Sequence, residues 1–140
     1  MLLYTGQRSD IAKTTIESGQ TYFCTSCMEI EDTSEFSLRA GYHWIMSTME
    51  EHGICKPEGA KYPVWLTPHM DMAQEYNNEV MVFDIPETEL LLTDEGLYGC
   101  CASVSSFDEE EMKECLDIAE DACIQATTWC LKPEWYKGTV

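Results

Sequence analysis

The sequence has little positive charge. Eight lysines and arginines stand against 26 aspartates and glutamates in 140 residues, so the formal net charge is −18. A surface this negative is repelled by the phosphates of nucleic acids and by anionic membrane surfaces. We therefore expect neither direct nucleic-acid binding nor membrane binding. The charge is expected either to keep the protein soluble or to meet a basic partner protein.

Long apolar runs and familiar catalytic motifs are also missing from the sequence. No run approaches the roughly 20 apolar residues that span a bilayer. The first residues, MLLYT, carry neither the basic region nor the apolar block of an export signal. A glycine-rich phosphate loop, a histidine pair four residues apart and a Ser/His/Asp set are absent. We therefore expect a cytoplasmic protein. His69, two residues from Asp71, could do acid–base work, although a plain surface histidine is the simpler interpretation.

The composition suits one domain. A hydrophobic content of 44% over 140 residues is enough for a buried core in a single domain, residues 1–140. Apolar and β-branched runs predict strands at 2–5, 21–24, 62–67, 79–85, 89–93 and 124–131. Apolar stripes predict helices at 10–18, capped by Ser9, and at 37–52, with loops at 25–35 and 68–78 and a turn at 94–96. We expect an α+β fold with a mixed, largely antiparallel sheet flanked by helices.

The cysteines raise the question of metal binding. Cys24 and Cys27 form a C-x-x-C pair, but a structural zinc site needs four ligands. Cys100 and Cys101 are adjacent, and adjacent side chains of a strand point to opposite faces. We therefore expect free thiols and no zinc, with a redox pair as the open alternative. Three other cysteines are expected in the core: Cys115, Cys123 and Cys130.

Residues 105–121 are the most informative stretch, because they combine an apolar stripe with dense negative charge. Ser106 followed by Glu109 has the form of a capping box, which predicts the start of a helix. The inward face of this helix is predicted to comprise Met112, Leu116, Ala119 and Cys123.

The outward face of the predicted helix is almost purely negative. Between residues 108 and 121 the one basic residue is Lys113. The candidate partner-binding residues are the eight acids Asp108, Glu109, Glu110, Glu111, Glu114, Asp117, Glu120 and Asp121. Charge runs are usually solvated surfaces. The alternative is a surface that competes for a basic groove.

Four stretches together resemble a known family. Residues 3–7 read LYTGQ, 59–65 read GAKYPVW, 83–94 read FDIPETELLLTD and 124–129 read IQATTW. Their order and spacing are similar to those of a bacterial and phage family known as domain of unknown function 3841. The resemblance covers nearly the whole chain, but the family name implies no activity.

A second resemblance, to ADP-ribosyltransferase-like domains, implies a nucleotide cleft. Gln125 and Ala126 match the Gln-Ala-Glu motif of those enzymes, but Thr127 stands in place of the catalytic glutamate, and the first motif lacks its histidine. The resemblance implies that NAD would be the cofactor and that the cleft residues would be Tyr4, Thr5, Gln7, Gln125 and Thr127. The missing glutamate implies a relative with lost or altered catalysis.

These observations leave three hypotheses from different classes. The leading one is a small, non-catalytic inhibitor without cofactor, whose segment 108–121 occupies a basic nucleic-acid-binding surface of a partner protein. In a phage, such a protein would act in counter-defence, as anti-CRISPR proteins do. The second is an ADP-ribosyltransferase-like enzyme that uses NAD. The third is a non-catalytic housekeeping domain whose acidity serves solubility alone.

Overall fold

The structure is a computed structural model, and it describes residues 1–6, 10–76 and 79–140. Gln7 and the predicted helix cap Ser9 lie outside the described residues. The strands are β1 Leu2–Thr5, β2 Tyr22–Phe23, β3 Val64–Leu66, β4 Met81–Asp84, β5 Leu91–Asp94, β6 Ile124–Thr128, β7 Cys130–Leu131 and β8 Tyr136–Thr139. The helices are α1 Asp10–Glu17, α2 Met28–Glu31, α3 Arg39–Glu51, α4 Met70–Gln74, α5 Glu95–Cys101 and α6 Glu109–Glu114. Short 3-10 turns cover Glu87–Glu89 and Pro133–Trp135.

The strands form three small sheets, ordered β1-β4-β8, β3-β6-β5 and β2-β7. Every strand pair of the described residues is antiparallel. The first two sheets meet at Tyr4 and Thr67, whose backbones exchange hydrogen bonds of 2.8 and 2.9 Å. The predicted α+β class is confirmed, and its antiparallel strands are divided among linked sheets.

Two main apolar clusters hold the sheets and helices together. One packs α1 against sheet β1-β4-β8 and includes Leu3, Ile16 and Phe83. The other packs α3, α5 and α6 against sheet β3-β6-β5 and includes Ile45 and Met112. The second cluster is the one that positions the acidic segment, because α6 is anchored there by Met112, which is fully buried.

Several local predictions differ from the structure. Ile11, an apolar residue of the predicted helix, is 70% exposed, because it lies about 100° around the helix from Ala12, which shares the buried face with Ile16. The predicted loops 25–35 and 68–78 contain α2 and α4. The predicted turn at 94–96 is instead the start of α5, since Asp94 Oδ1 caps it by accepting from the Leu97 N–H at 3.2 Å.

Strand β8 was not predicted, and it pairs with β4 through Met81, Val82 and Phe83. Among the described residues, no helix has both the length and the apolar character that crossing a membrane requires.

Candidate protein-binding surface

The acidic segment contains a shorter helix than predicted. Helix α6 ends at Glu114, and the next residues close it with tight turns, in which Leu116 N–H donates to Lys113 O and Asp117 N–H donates to Glu114 O, each at 3.1 Å. The prediction of a helix to residue 121 is therefore wrong. The reason is a tertiary contact: Cys115 O accepts from Asp94 N–H at 2.8 Å. In an uninterrupted helix, the same carbonyl would accept from an N–H of the helix itself.

The start of α6 is capped by a different residue from the one predicted. Asp108 Oδ1 accepts from the N–H groups of Glu110 and Glu111 at 2.9 and 3.4 Å. The predicted capping box of Ser106 and Glu109 is wrong, because the Ser106 hydroxyl lies 2.6 Å from the Ser103 hydroxyl instead. A carboxylate cap satisfies free N–H groups and also suits the positive end of the helix.

The inward-facing side chains of the segment come from α6 and from the residues that directly follow it. Met112 and Cys115 are fully buried, and Leu116 is half-buried. Burial raises the pKa of the Cys115 thiol to about 11. Ala119 and Cys123, predicted to face inward, are exposed because the helix stops before it reaches them. Cys130, in contrast, is buried as predicted.

The eight acids of the segment are all exposed. Asp108 caps the helix, Glu110 Oε1 lies 3.2 Å from Lys113 Nζ, and Glu111 Oε2 accepts from the Cys101 thiol at 3.4 Å. The side chains of the other five acids make no hydrogen bond or ion pair to any described residue: Glu109, Glu114, Asp117, Glu120 and Asp121. Most of the negative charge of this segment therefore faces solvent without a cation.

A groove lies beside the acidic segment, between α3 and α6. It has a volume of about 430 Å³. Its apolar lining comes from Trp44, Phe107 and Leu116, and its charged lining from Glu51, Glu109 and Lys113. Sequence reasoning missed this groove, because Trp44 and Glu51 are far from α6 in the chain. The sequence signal that pointed to the groove was Phe107, an apolar residue directly before the acids. Its side chain is partly exposed in the structure.

The described residues of the alternative nucleotide cleft lie on two strands, β1 and β6, that are separated by β3. Thr5 Oγ1 on β1 donates to Trp65 O on β3 at 3.0 Å, and Thr127 on β6 pairs with Trp65 from the other side. Thr127 is fully buried, and its hydroxyl donates to Leu91 O at 3.4 Å. Gln125 is buried with its Nε2 unpartnered among the described residues, and Gln7 lies outside them.

The remaining chemical candidates are dispersed. His69 Nε2 accepts from Ile124 N–H at 3.3 Å, so its ring braces the start of β6. Cys24 Sγ donates to Ser26 O at 3.3 Å, and Cys27 Sγ lies 3.7 Å from Glu29 Oε2. Within the described part of the chain, no three His, Cys, Asp or Glu side chains gather into a group that could hold a metal ion.

Comparison with known proteins assigns the chain to a family. No curated protein and no solved structure matches it. Residues 2–114 match the family described as "Domain of unknown function (DUF3841)", as the sequence resemblance predicted. The matched region runs from β1 through α6 and takes in the groove residues except Leu116. Because the match covers most of its length, the chain belongs to the DUF3841 family.

Proposed function

We propose that this protein is a non-catalytic binding protein whose acidic segment, residues 108–121, occupies a basic nucleic-acid-binding surface of a partner protein. The observation that carries the proposal is that all eight acids of the segment are exposed, while five of them have no hydrogen bond or ion pair to a described residue. An inhibitor of this kind would exclude the partner's nucleic acid by taking its place. Such inhibition would suit a counter-defence protein of a phage.

The physical basis is electrostatic complementarity. Single exposed ion pairs contribute roughly 0.2–1 kcal/mol each, so several must act together to give useful affinity. A dense row of carboxylates offers such a set, and it also steers the encounter with a positively charged surface. This attraction is screened beyond about 10 Å at 0.1 M salt, so binding should weaken as salt rises.

The other two hypotheses have less support. The NAD-dependent alternative requires Thr127 to reach a ligand, yet that side chain is fully buried and its hydroxyl is bonded to Leu91 O. The solubility hypothesis fits the net charge, but it predicts that a charge reversal has the same effect at any exposed position. That difference makes the hypothesis directly testable.

The test compares two quadruple charge reversals. In the first, Glu114, Asp117, Glu120 and Asp121 become lysine. In the second, four exposed acids of other elements become lysine: Asp71, Glu75, Glu87 and Glu134. Each variant changes the net charge from −18 by 8, to −10, so bulk charge is matched. The probe is a non-covalent complex of an arginine-rich 14-residue peptide with a labelled 12-bp DNA duplex. The measurement is the protein concentration that releases half of the duplex from the peptide.

We expect the segment variant to need at least tenfold more protein than wild type, and the control variant less than threefold more. Raising the salt from 50 to 300 mM should reduce this difference, since exposed charge pairs are screened. Equal losses in the two variants would refute the proposal, because bulk charge would then explain the release.

A further inference from the structure

The groove between α3 and α6 combines apolar surface with a negative rim. Phe107 is 37% exposed and Leu116 is half-buried, so both offer apolar surface to a ligand beside Trp44, which also lines the groove. Glu51 and Glu109 stand on the rim, one from each helix. A partner that offered only polar side chains would pair with the carboxylates but would leave the apolar part of the groove uncovered.

Lys113 lines the groove with Glu51 and Glu109, and it pairs with Glu110, which lies outside the lining. Its Nζ is 3.2 Å from Glu110 Oε1, and its pKa is raised, first by that hydrogen bond and further by the charges of Glu110, Glu109 and Glu51. Three carboxylates from two helices thus act on one cation of the chain itself. The side chain of Lys113 is 57% exposed, so it can move aside for another cation.

We propose that this groove binds a segment of the basic partner in which an arginine or lysine stands beside a large apolar side chain. The apolar side chain would rest on Phe107 and Leu116, and the cation would lie among the carboxylates where Lys113 now stands. An arginine could also stack on the exposed ring of Phe107. This inference rests on the proposed function, and it adds the chemistry that separates a specific partner from any polycation.

Charge complementarity selects this occupant over a second copy of the chain. A copy carries the same net charge of −18, so its approach to a rim of carboxylates is repulsive. A basic segment is attracted there, and its apolar side chain removes Phe107 and Leu116 from water. Because burial of apolar surface is not screened by salt, the groove should provide the part of the binding that survives at high salt.

The experiment uses two labelled peptides of 14 residues with identical arginine content. One has leucine and tryptophan between the arginines, and the other has serine at those positions. Binding to the full chain is measured by fluorescence anisotropy at 50 and 300 mM salt. The variants are Phe107→Ser and Leu116→Ser, with Leu97→Ser as the control, since Leu97 is also 37% exposed but does not line the groove.

We expect wild type and Leu97→Ser to bind the apolar peptide at least tenfold more tightly than the serine peptide at 300 mM salt. Phe107→Ser and Leu116→Ser should reduce that preference to less than threefold. Equal binding of the two peptides to wild type would overturn the inference, and so would an unchanged preference in both groove variants. Circular dichroism checks that each variant is folded.

A second pair of variants tests the role of Lys113. Lys113→Met removes the competing cation and should tighten binding of the apolar peptide about three- to tenfold. Lys137→Met, which makes the same charge change at an exposed residue of β8, should have less than half that effect on a logarithmic scale. Equal effects would refute a cation site in the groove. If the groove variants fail to act while the quadruple segment reversal still does, the inference fails and the proposed function stands.

Discussion

At the scale of single residues, the surroundings of Thr127 decide what its position tolerates. This residue occupies the place of the catalytic glutamate in the ADP-ribosyltransferase-like pattern, yet it lies on the central strand β6 between Trp65 and Leu91. Its side chain has no contact with solvent. A carboxylate introduced there would be a buried charge, and no cation is found among the described partners of that strand.

Thr127→Glu is therefore expected to destabilise the protein by about 3–5 kcal/mol, since an uncompensated buried charge is costly. Thr127→Val keeps the shape and loses one long hydrogen bond, so it should cost about 1 kcal/mol or less. Urea unfolding followed by tryptophan fluorescence measures both. If the glutamate variant were as stable as the valine variant, the position would be open to solvent, and the nucleotide cleft would regain support.

A buried thiol and a buried phenol, which are neutral while they are protonated, should make the protein less stable at alkaline pH. Burial raises the pKa of Cys115 from its ordinary 9.0 to about 11, and it also raises the pKa of Tyr98. A group whose pKa is higher in the folded state stabilises the fold below its unfolded pKa, and this stability is lost as pH rises toward the folded pKa. The free energy of unfolding should therefore fall between about pH 9 and pH 11.

Urea unfolding at pH 8, 9 and 10 measures that decline. Cys115→Ala should flatten it, because the titrating buried thiol is gone, and Cys123→Ala, which removes an exposed thiol, is the matched control. A slope identical in all three proteins would show that the Cys115 thiol does not contribute.

At the scale of elements, the close approach of α3 and α5 depends on Gly41. A Cβ at this position would lie 2.5 Å from Ala102 Cβ and 3.0 Å from Ala102 Cα. The Gly41 N–H donates to Ala102 O at 2.9 Å, which joins the start of α3 to the end of α5. A methyl group would have to push backbone away, so the contact fixes how α3 sits beside the helices that follow.

Gly41→Ala should destabilise the protein by about 1–3 kcal/mol, the usual cost of overpacking, despite the better helix propensity of alanine. Gly99 on α5 is the matched control, because its Cβ would meet nothing within 4 Å. Gly99→Ala should stabilise the protein by about 0.5–1 kcal/mol. The measurement is chemical unfolding of both variants. If Gly41→Ala stabilised the protein as Gly99→Ala does, the predicted clash between α3 and α5 would be refuted.

At the scale of the whole molecule, the charge and the core are kept apart. The acids of segment 108–121 are exposed, while Met112 and Cys115 of the same segment enter the core against β3-β6-β5. These two buried side chains hold the acidic segment against the sheet, and none of its charged side chains is buried. The two quadruple charge reversals test this arrangement, because they distinguish the position of the negative charge from its amount.

Much of the fold is predictable from the sequence, because many elements bury a regular stripe. Strands β1, β3, β4 and β6 and helices α1 and α3 appear close to their predicted positions. The short elements α2, α4 and α5 and strand β8 do not follow from local pattern. They are too short for a period to show, and β8 exists through its pairing with β4.

The negative charge, the α+β class and the family all follow from the amino-acid sequence alone. Charge is a sum over residues, and the long elements carry their own apolar periodicity, so neither needs the folded chain. The end of α6 and the lining of the groove depend instead on the folded chain. Helix α6 ends where the Cys115 carbonyl accepts from the Asp94 N–H, and the groove is lined by residues that are distant in sequence. Trp44 and Phe107 are distant in the chain, and they come together because α3 and α6 pack on the same side of one sheet.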